Sequence, residues 1–176
     1  MRNQYRVTKY DPSLRDDGGA FTGIEWTSRS DIGREFGGAP LSEAEYLRVE
    51  TAYLFAIEAF LGEAKVESLT LSGIENTSSA RLPGFAKSGA NLSLRECVKF
   101  ARLVLREETW GKLAAPGRAY VHFGYDYYMY LGLPSKCLGA VSAVHGQGLF
   151  VEPFRSPYLR ERPNPSFKRT RLRRSA

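Results

Sequence analysis

The stretch Tyr120 to Leu131, YVHFGYDYYMYL, limits the fold more than any other, because two runs of β-branched and aromatic residues flank Gly124, Tyr125 and Asp126. That pattern is the signature of a β-hairpin with a short Gly-containing loop. A two-residue loop at Tyr125 and Asp126 would set His122 opposite Met129 and mix polar with apolar groups on each face. A three-residue loop, Gly124 to Asp126, sorts them. Val121 then faces Met129 and Phe123 faces Tyr127, with Leu131 on the same apolar side, while Tyr120, His122, Tyr128 and Tyr130 share the other. The tyrosine face suits either a helix packed across it, with the hydroxyls reaching the rim, or an exposed surface for a partner that is part apolar and part polar.

Elsewhere the spacing predicts a strand over Gln4 to Tyr10, a long connection from Asp11 to Pro40, and within it a short helix, Asp31 to Phe36, capped by Ser30 and ended by Gly37-Gly38. Leu41 to Ala64 is the clearest helix. Ser42 and Glu45 have capping-box spacing, and Tyr46, Val49, Tyr53, Ala56, Ile57, Phe60 and Leu61 fall on one stripe that Leu47, Leu54 and Phe55 widen. Glu67 to Leu71 alternates as a strand, Asn76 to Asn91 is irregular, and a second capping box, Ser93 with Glu96, starts a helix running to about Glu108. A weaker helix from Ser135 through Val144 and a last strand, Leu149 to Phe154, complete the order. These elements imply an α+β fold: one domain over residues 1–159, a mixed or antiparallel sheet, and two or three helices mainly on one of its faces.

The formal charge of +6 on 176 residues is not spread evenly. Seven of the 25 basic residues and one of the 19 acidic ones lie between Arg160 and Ala176, leaving residues 1–159 neutral with 18 of each. Residues 160–176 have the composition of a disordered basic tail, so a nucleic-acid partner is not expected of the body. Two cysteines, Cys97 and Cys137, fit a reducing cytoplasm, and the longest apolar run, AYLFAIEAFL, is half a membrane span and contains Glu58.

Two histidines leave little room for metal or acid–base chemistry, and neither a cofactor nor a metal site is expected. His122 with Asp126 or Glu25 is the one candidate for a hydrolase or transferase; a hydrogen-bonded structural histidine is the alternative. His145 is expected in the last turn of a helix. Cys137, after Lys136 at a helix start, is expected to have a lowered pKa, whereas Cys97 belongs to the core. Glu25, Trp26, Thr27, Ser28 and Asp31 gather carboxylates, hydroxyls and an indole inside the long connection. They suit a polar ligand or, with Asp31 capping a turn and Trp26 plugging the core, a loop that pins itself down.

The strings YRVTKYDP (Tyr5 to Pro12), EWTSRSDIG (Glu25 to Gly33), VHFGYDYYMYLG (Val121 to Gly132) and GLFVEPFRSPY (Gly148 to Tyr158) resemble a group of bacterial proteins to which no activity is attached. That resemblance transfers no catalytic residue. The tail PNPSFKRTRLRRSA resembles the translated recombination site that follows integron gene cassettes, Arg162-Pro163-Asn164 reading back as codons containing GCCTAAC. Together the two resemblances imply a mobile accessory gene of the immunity, antitoxin or defence kind. The expected function is therefore non-catalytic binding of another protein, through Tyr120, His122, Tyr128 and Tyr130 together with Glu25, Trp26 and Asp31.

Overall fold

A helix forms where the sequence sets a cap before a broad apolar stripe. In the computed structural model, which describes residues 3–77 and 81–159, α1 spans Glu43–Glu63, and Ser42 Oγ accepts the Glu45 N–H at 3.1 Å. The Glu45 carboxylate does not close the box; it turns to Arg48 at 2.7 and 2.8 Å. Lys65, with φ 53°, stops the helix in the left-handed conformation that glycine more often supplies, and Val66 N–H reaches back to Leu61. The complete capping box is at the second helix, α2 (Leu94–Leu105), where Ser93 and Glu96 satisfy each other's backbone donors.

The strands are β1 (Asn3–Thr8), β2 (Glu35–Phe36), β3 (Ala39–Pro40), β4 (Ser68–Asn76), β5 (Asn91–Ser93), β6 (Thr109–Ala115), β7 (Ala119–Phe123), β8 (Met129–Leu133) and β9 (Phe150–Pro153). A third helix, α3, spans Leu138–Gly146. Seven strands make one antiparallel sheet in the order β5-β4-β6-β7-β8-β1-β9, and β2-β3 is a separate small hairpin. The protein is thus a single α+β domain, and its sheet is antiparallel.

One face of the sheet carries the core. Val7, Leu69, Leu71, Leu92, Leu113, Val121, Phe123, Met129, Leu131 and Leu133 pack against Tyr46, Tyr53, Ile57, Phe60 and Leu61 of α1 and Phe100 of α2. Gly111 on β6 is what lets α2 approach, since a Cβ there would stand 2.9 Å from the Phe100 ring and 3.2 Å from Leu71.

Three expectations are corrected. No helix occupies 31–36. A 3₁₀ turn, Arg29–Asp31, is capped by Ser28, and β2 and β3 fold around Gly37 and Gly38, both with positive φ as a tight two-residue hairpin requires. α3 is not capped by Ser135; Cys137 stands at its N-cap with φ 49°. The hairpin register is shifted by two residues, Phe123 pairing with Met129, His122 with Tyr130 and Val121 with Leu131. The loop is Tyr125 to Tyr127, closed by Gly124 N–H on the Tyr128 carbonyl at 2.7 Å. A shift of two preserves which side chains share a face, so Val121, Phe123, Met129 and Leu131 still face the core. The tail from residue 160 onward lies outside the described residues.

Candidate functional site

Tyr127 explains the register. Its side chain is buried, its hydroxyl donates to the Leu105 carbonyl at 2.9 Å, and its ring meets Trp26 at 5.1 Å, Tyr53 at 5.5 Å and Tyr46 at 6.4 Å, all near edge-on. With that ring turned inward, Asp126 and Tyr127 stand at φ 56° and 59° and the three-residue loop moves on by one residue. Tyr53 then ties the loop to β1, donating its hydroxyl to the Tyr127 carbonyl and accepting the Lys9 N–H at 2.8 Å.

The tyrosine face is neither exposed nor covered by a helix. Beyond β9 the chain crosses it, and the turn Pro157–Leu159 lays Tyr158 among Trp110, His122 and Tyr130 with ring centroids 5.8 to 6.3 Å apart. Tyr120 lies flat over Gly132, where a Cβ would come within 2.1 Å of its ring, and its hydroxyl donates to Gln4 at 2.9 Å. Arg6, directly opposite Tyr130, packs over Phe154 at 4.2 Å and Tyr128 at 5.3 Å and joins Arg15 on the Glu152 carboxylate. Tyr120, His122 and Tyr130 are buried, and only Tyr128 is half-exposed.

His122 is 4 % exposed, stacked on Tyr120 at 4.4 Å, with Nδ1 2.9 Å from Ser156 Oγ. Ser156 Oγ also accepts the Tyr158 N–H at 3.2 Å and keeps both its hydrogen and a second lone pair, so it can pair with Nδ1 of a neutral imidazole in either tautomer. Burial first, then the Lys112 charge, push its pKa down to about 4. No hydrogen bond or ion pair joins His122 to Asp126 or Glu25 among the described residues. Glu25 is paired with Lys9, whose ammonium sits over Trp26 at 4.2 Å and Tyr10 at 4.3 Å. Asp126 is at the hairpin tip.

The Glu25 to Asp31 segment pins itself. Asp31 Oδ2 accepts the Thr27 and Ser28 N–H groups at 2.9 and 3.1 Å, and Oδ1 takes Arg34 at 2.9 Å. Burial would raise this carboxyl, but the two amides and the guanidinium outweigh it and hold it below the ordinary range. Trp26 is a core residue. Cys137 is also corrected: burial pushes its thiol up, against a smaller lowering by Ser135. Cys97, in the core, is pushed up to about 11 by burial. His145 does lie in the last turn of α3.

The hairpin and the 27–34 segment converge at the hairpin tip, on the edge of a cleft of about 620 Å³. Tyr53, Leu105, Thr109, Phe123, Tyr127 and Met129 make its buried floor. Its rim holds Ser30, Arg34, Glu75, Glu107, Tyr125 and Asp126, all exposed, with Tyr125 at 84 %. Glu107 follows the end of α2 at φ 60°, where glycine is the usual residue, and its carboxyl is raised by partial desolvation and then by the charge of Asp31. The cleft draws on six separate segments, so no local motif announces it; the only sequence signals are Tyr125 beside Gly124 and an acid at the end of α2. Among the described residues no group of three or more His, Cys, Asp or Glu is placed to hold a metal, and no helix is long and apolar enough to cross a membrane.

Comparison with protein-family models, curated proteins and solved structures finds no match to this chain. The reading of the site therefore rests on its geometry.

Proposed function

We propose that the chain is a non-catalytic binding protein that engages a protein partner at the cleft between the hairpin tip and the 27–34 segment. The observation that carries this is Tyr125, a large aromatic side chain 84 % exposed on the rim of a concave, aromatic-floored site. Rigid aromatic anchors beside a pocket are what protein interfaces concentrate their binding energy in. In this reading the partner meets Tyr125, Asp126 and the exposed edge of the 27–34 turn. Tyr120, His122 and Tyr130 act from beneath by fixing the strands that carry the tip. An accessory role of the immunity or defence kind accords with it.

The alternative of a hydrolase or transferase using His122 with Asp126 or Glu25 has weaker support: His122 faces Ser156 under Tyr158, and Glu25 is engaged by Lys9. The test is affinity capture from the source cells with wild type, Tyr125→Ala and, as a distant surface control, Leu138→Ser, which is exposed on α3. A partner lost with Tyr125→Ala and retained with Leu138→Ser is the expected result. An identical bound set for all three chains would sink the proposal.

A further inference from the structure

The cleft has an unbalanced charge and a consistent surface chemistry. Four carboxylates line it, those of Asp31, Glu75, Glu107 and Asp126, against the single guanidinium of Arg34, which is already bonded to Asp31. Glu75, Glu107 and Asp126 are in no ion pair among the described residues. The same cavity is lined by the rings of Trp110, Tyr125, Tyr128 and Tyr158; Lys112 already sits over Trp110 and Tyr158 at 5.6 and 5.9 Å and Arg6 over Tyr128 at 5.3 Å, so among the described residues Tyr125 is the one of these rings with no cation of this chain on it. Ring faces attract cations through the quadrupole, and carboxylates do so through charge, so both parts of the lining select the same ligand class and reject anions. At about 620 Å³ the space holds a small organic molecule or one long side chain.

We propose that this cleft takes an organic cation, an alkylammonium or guanidinium group, between the ring of Tyr125 and the carboxylates of Glu75, Glu107 and Asp126, against the wall that Trp110 forms. The inference rests on the cleft being the binding site and adds the charge and chemical class of what enters it. The cation has two sources with one chemistry: a free amine, or a lysine or arginine side chain of the protein partner.

The experiment uses the full chain and the two indole N–H resonances. Trp110 Nε1 donates to the Phe123 carbonyl at 3.0 Å in the cleft wall, while Trp26 lies in the core outside the lining and serves as an internal reference. Agmatine and spermidine are titrated as free cations, the blocked pentapeptide Gly-Gly-Arg-Gly-Gly as a side-chain source, and 1,4-butanediol and phosphate as neutral and anionic controls. The Trp110 signal is expected to move with the cations alone, saturating at about 10⁻⁴ to 10⁻³ M. Glu107→Gln and Asp126→Asn, both at exposed rim positions, are each expected to weaken binding about tenfold. Agmatine binding tighter than the pentapeptide assigns a free amine; the reverse order assigns a partner's side chain. No shift with agmatine at about 10 mM, or an equal shift with 1,4-butanediol, overturns the cation assignment. If Tyr125-dependent capture of a protein survives that result, the cleft remains the interface and only its charge preference is refuted.

Discussion

Protonating His122 should unfold the protein from the covered face of the sheet inward. Its folded pKa of about 4 lies below the ordinary 6.5, so the unfolded chain takes up the proton first. The stabilisation from keeping the imidazole neutral is fully present above pH 6.5 and is lost as pH falls toward 4. By pH 4 the loss is about 3 kcal/mol, since each pH unit between the unfolded and folded values is worth roughly 1.4 kcal/mol. The groups facing the ring explain why the charge is unwelcome. Lys112 repels it, Tyr120 and Tyr158 enclose it, and Ser156 offers one hydroxyl in place of water. Asp31 and Glu152, both held below the ordinary carboxylate range, lose their own contribution at the acid end of the same window. The comparison is therefore differential: urea unfolding at pH 7.5, 6, 5 and 4 for wild type and His122→Gln, which keeps an amide for Ser156 but does not titrate there. Wild type should lose about 3 kcal/mol more than the variant across that range. Should His122→Gln fold poorly, imidazole titration by NMR in a His145→Gln background, which leaves one histidine, supplies the same answer. Parallel pH slopes, or a midpoint near 6.5, would refute the account.

Three further outcomes follow from packing and charge. Gly132→Ala should cost about 2 to 3 kcal/mol, because the new methyl meets the fully buried Tyr120 ring, whereas Gly62→Ala in α1, with open space around it, should gain about 0.5 to 1 kcal/mol; thermal unfolding of the two side by side checks both signs. Glu50, 3 % exposed, is gripped by Arg106 at 2.8 and 2.9 Å and by the Tyr46 hydroxyl at 3.0 Å. Glu50→Ala should therefore lower stability by about 2 kcal/mol, the low end for a broken buried pair since Arg106 can rehydrate; a urea midpoint within error of wild type would contradict this. Arg15 is nearly buried with Nε and Nη2 unpartnered, while Glu152 keeps Arg6 if Arg15 is removed. Arg15→Met should then fall within about 1 kcal/mol of wild type in the same assay, and Glu152→Ala, which strands two guanidiniums, should cost more.

The parts of this fold that are legible in the sequence are those set by neighbours along the chain. Ser42 and Ser93 mark both long helices, and the alternation in YVHFGYDYYMYL sorts its side chains between faces even though the pairing it suggests is two residues out. The register is lost because Tyr127 is claimed by Trp26, Tyr46, Tyr53 and Leu105, none of them nearby in sequence. β6 does not stand out because TWGKLAA is poor in β-branched residues; Phe100 above Gly111 explains the glycine, and pairing with β4 and β7 supplies the strand. Gly37-Gly38 has the look of a helix stop but is a hairpin turn, an ambiguity glycine pairs carry. The cover on the tyrosine face and the cleft both arise from distant segments meeting, which periodicity does not report.

β1 lies between β8 and β9, with Tyr5 opposite Leu131 on one side and Pro153 on the other. β1 is therefore made well before either of its partners, which are the last two strands of the described residues. During synthesis its hydrogen-bonding edges and the apolar side of Val7 wait for more than a hundred further residues before they can be satisfied. The helices can form as they emerge, but the sheet cannot be completed until β9 is available, so a chain released early would present β1 as an open edge for association with other copies.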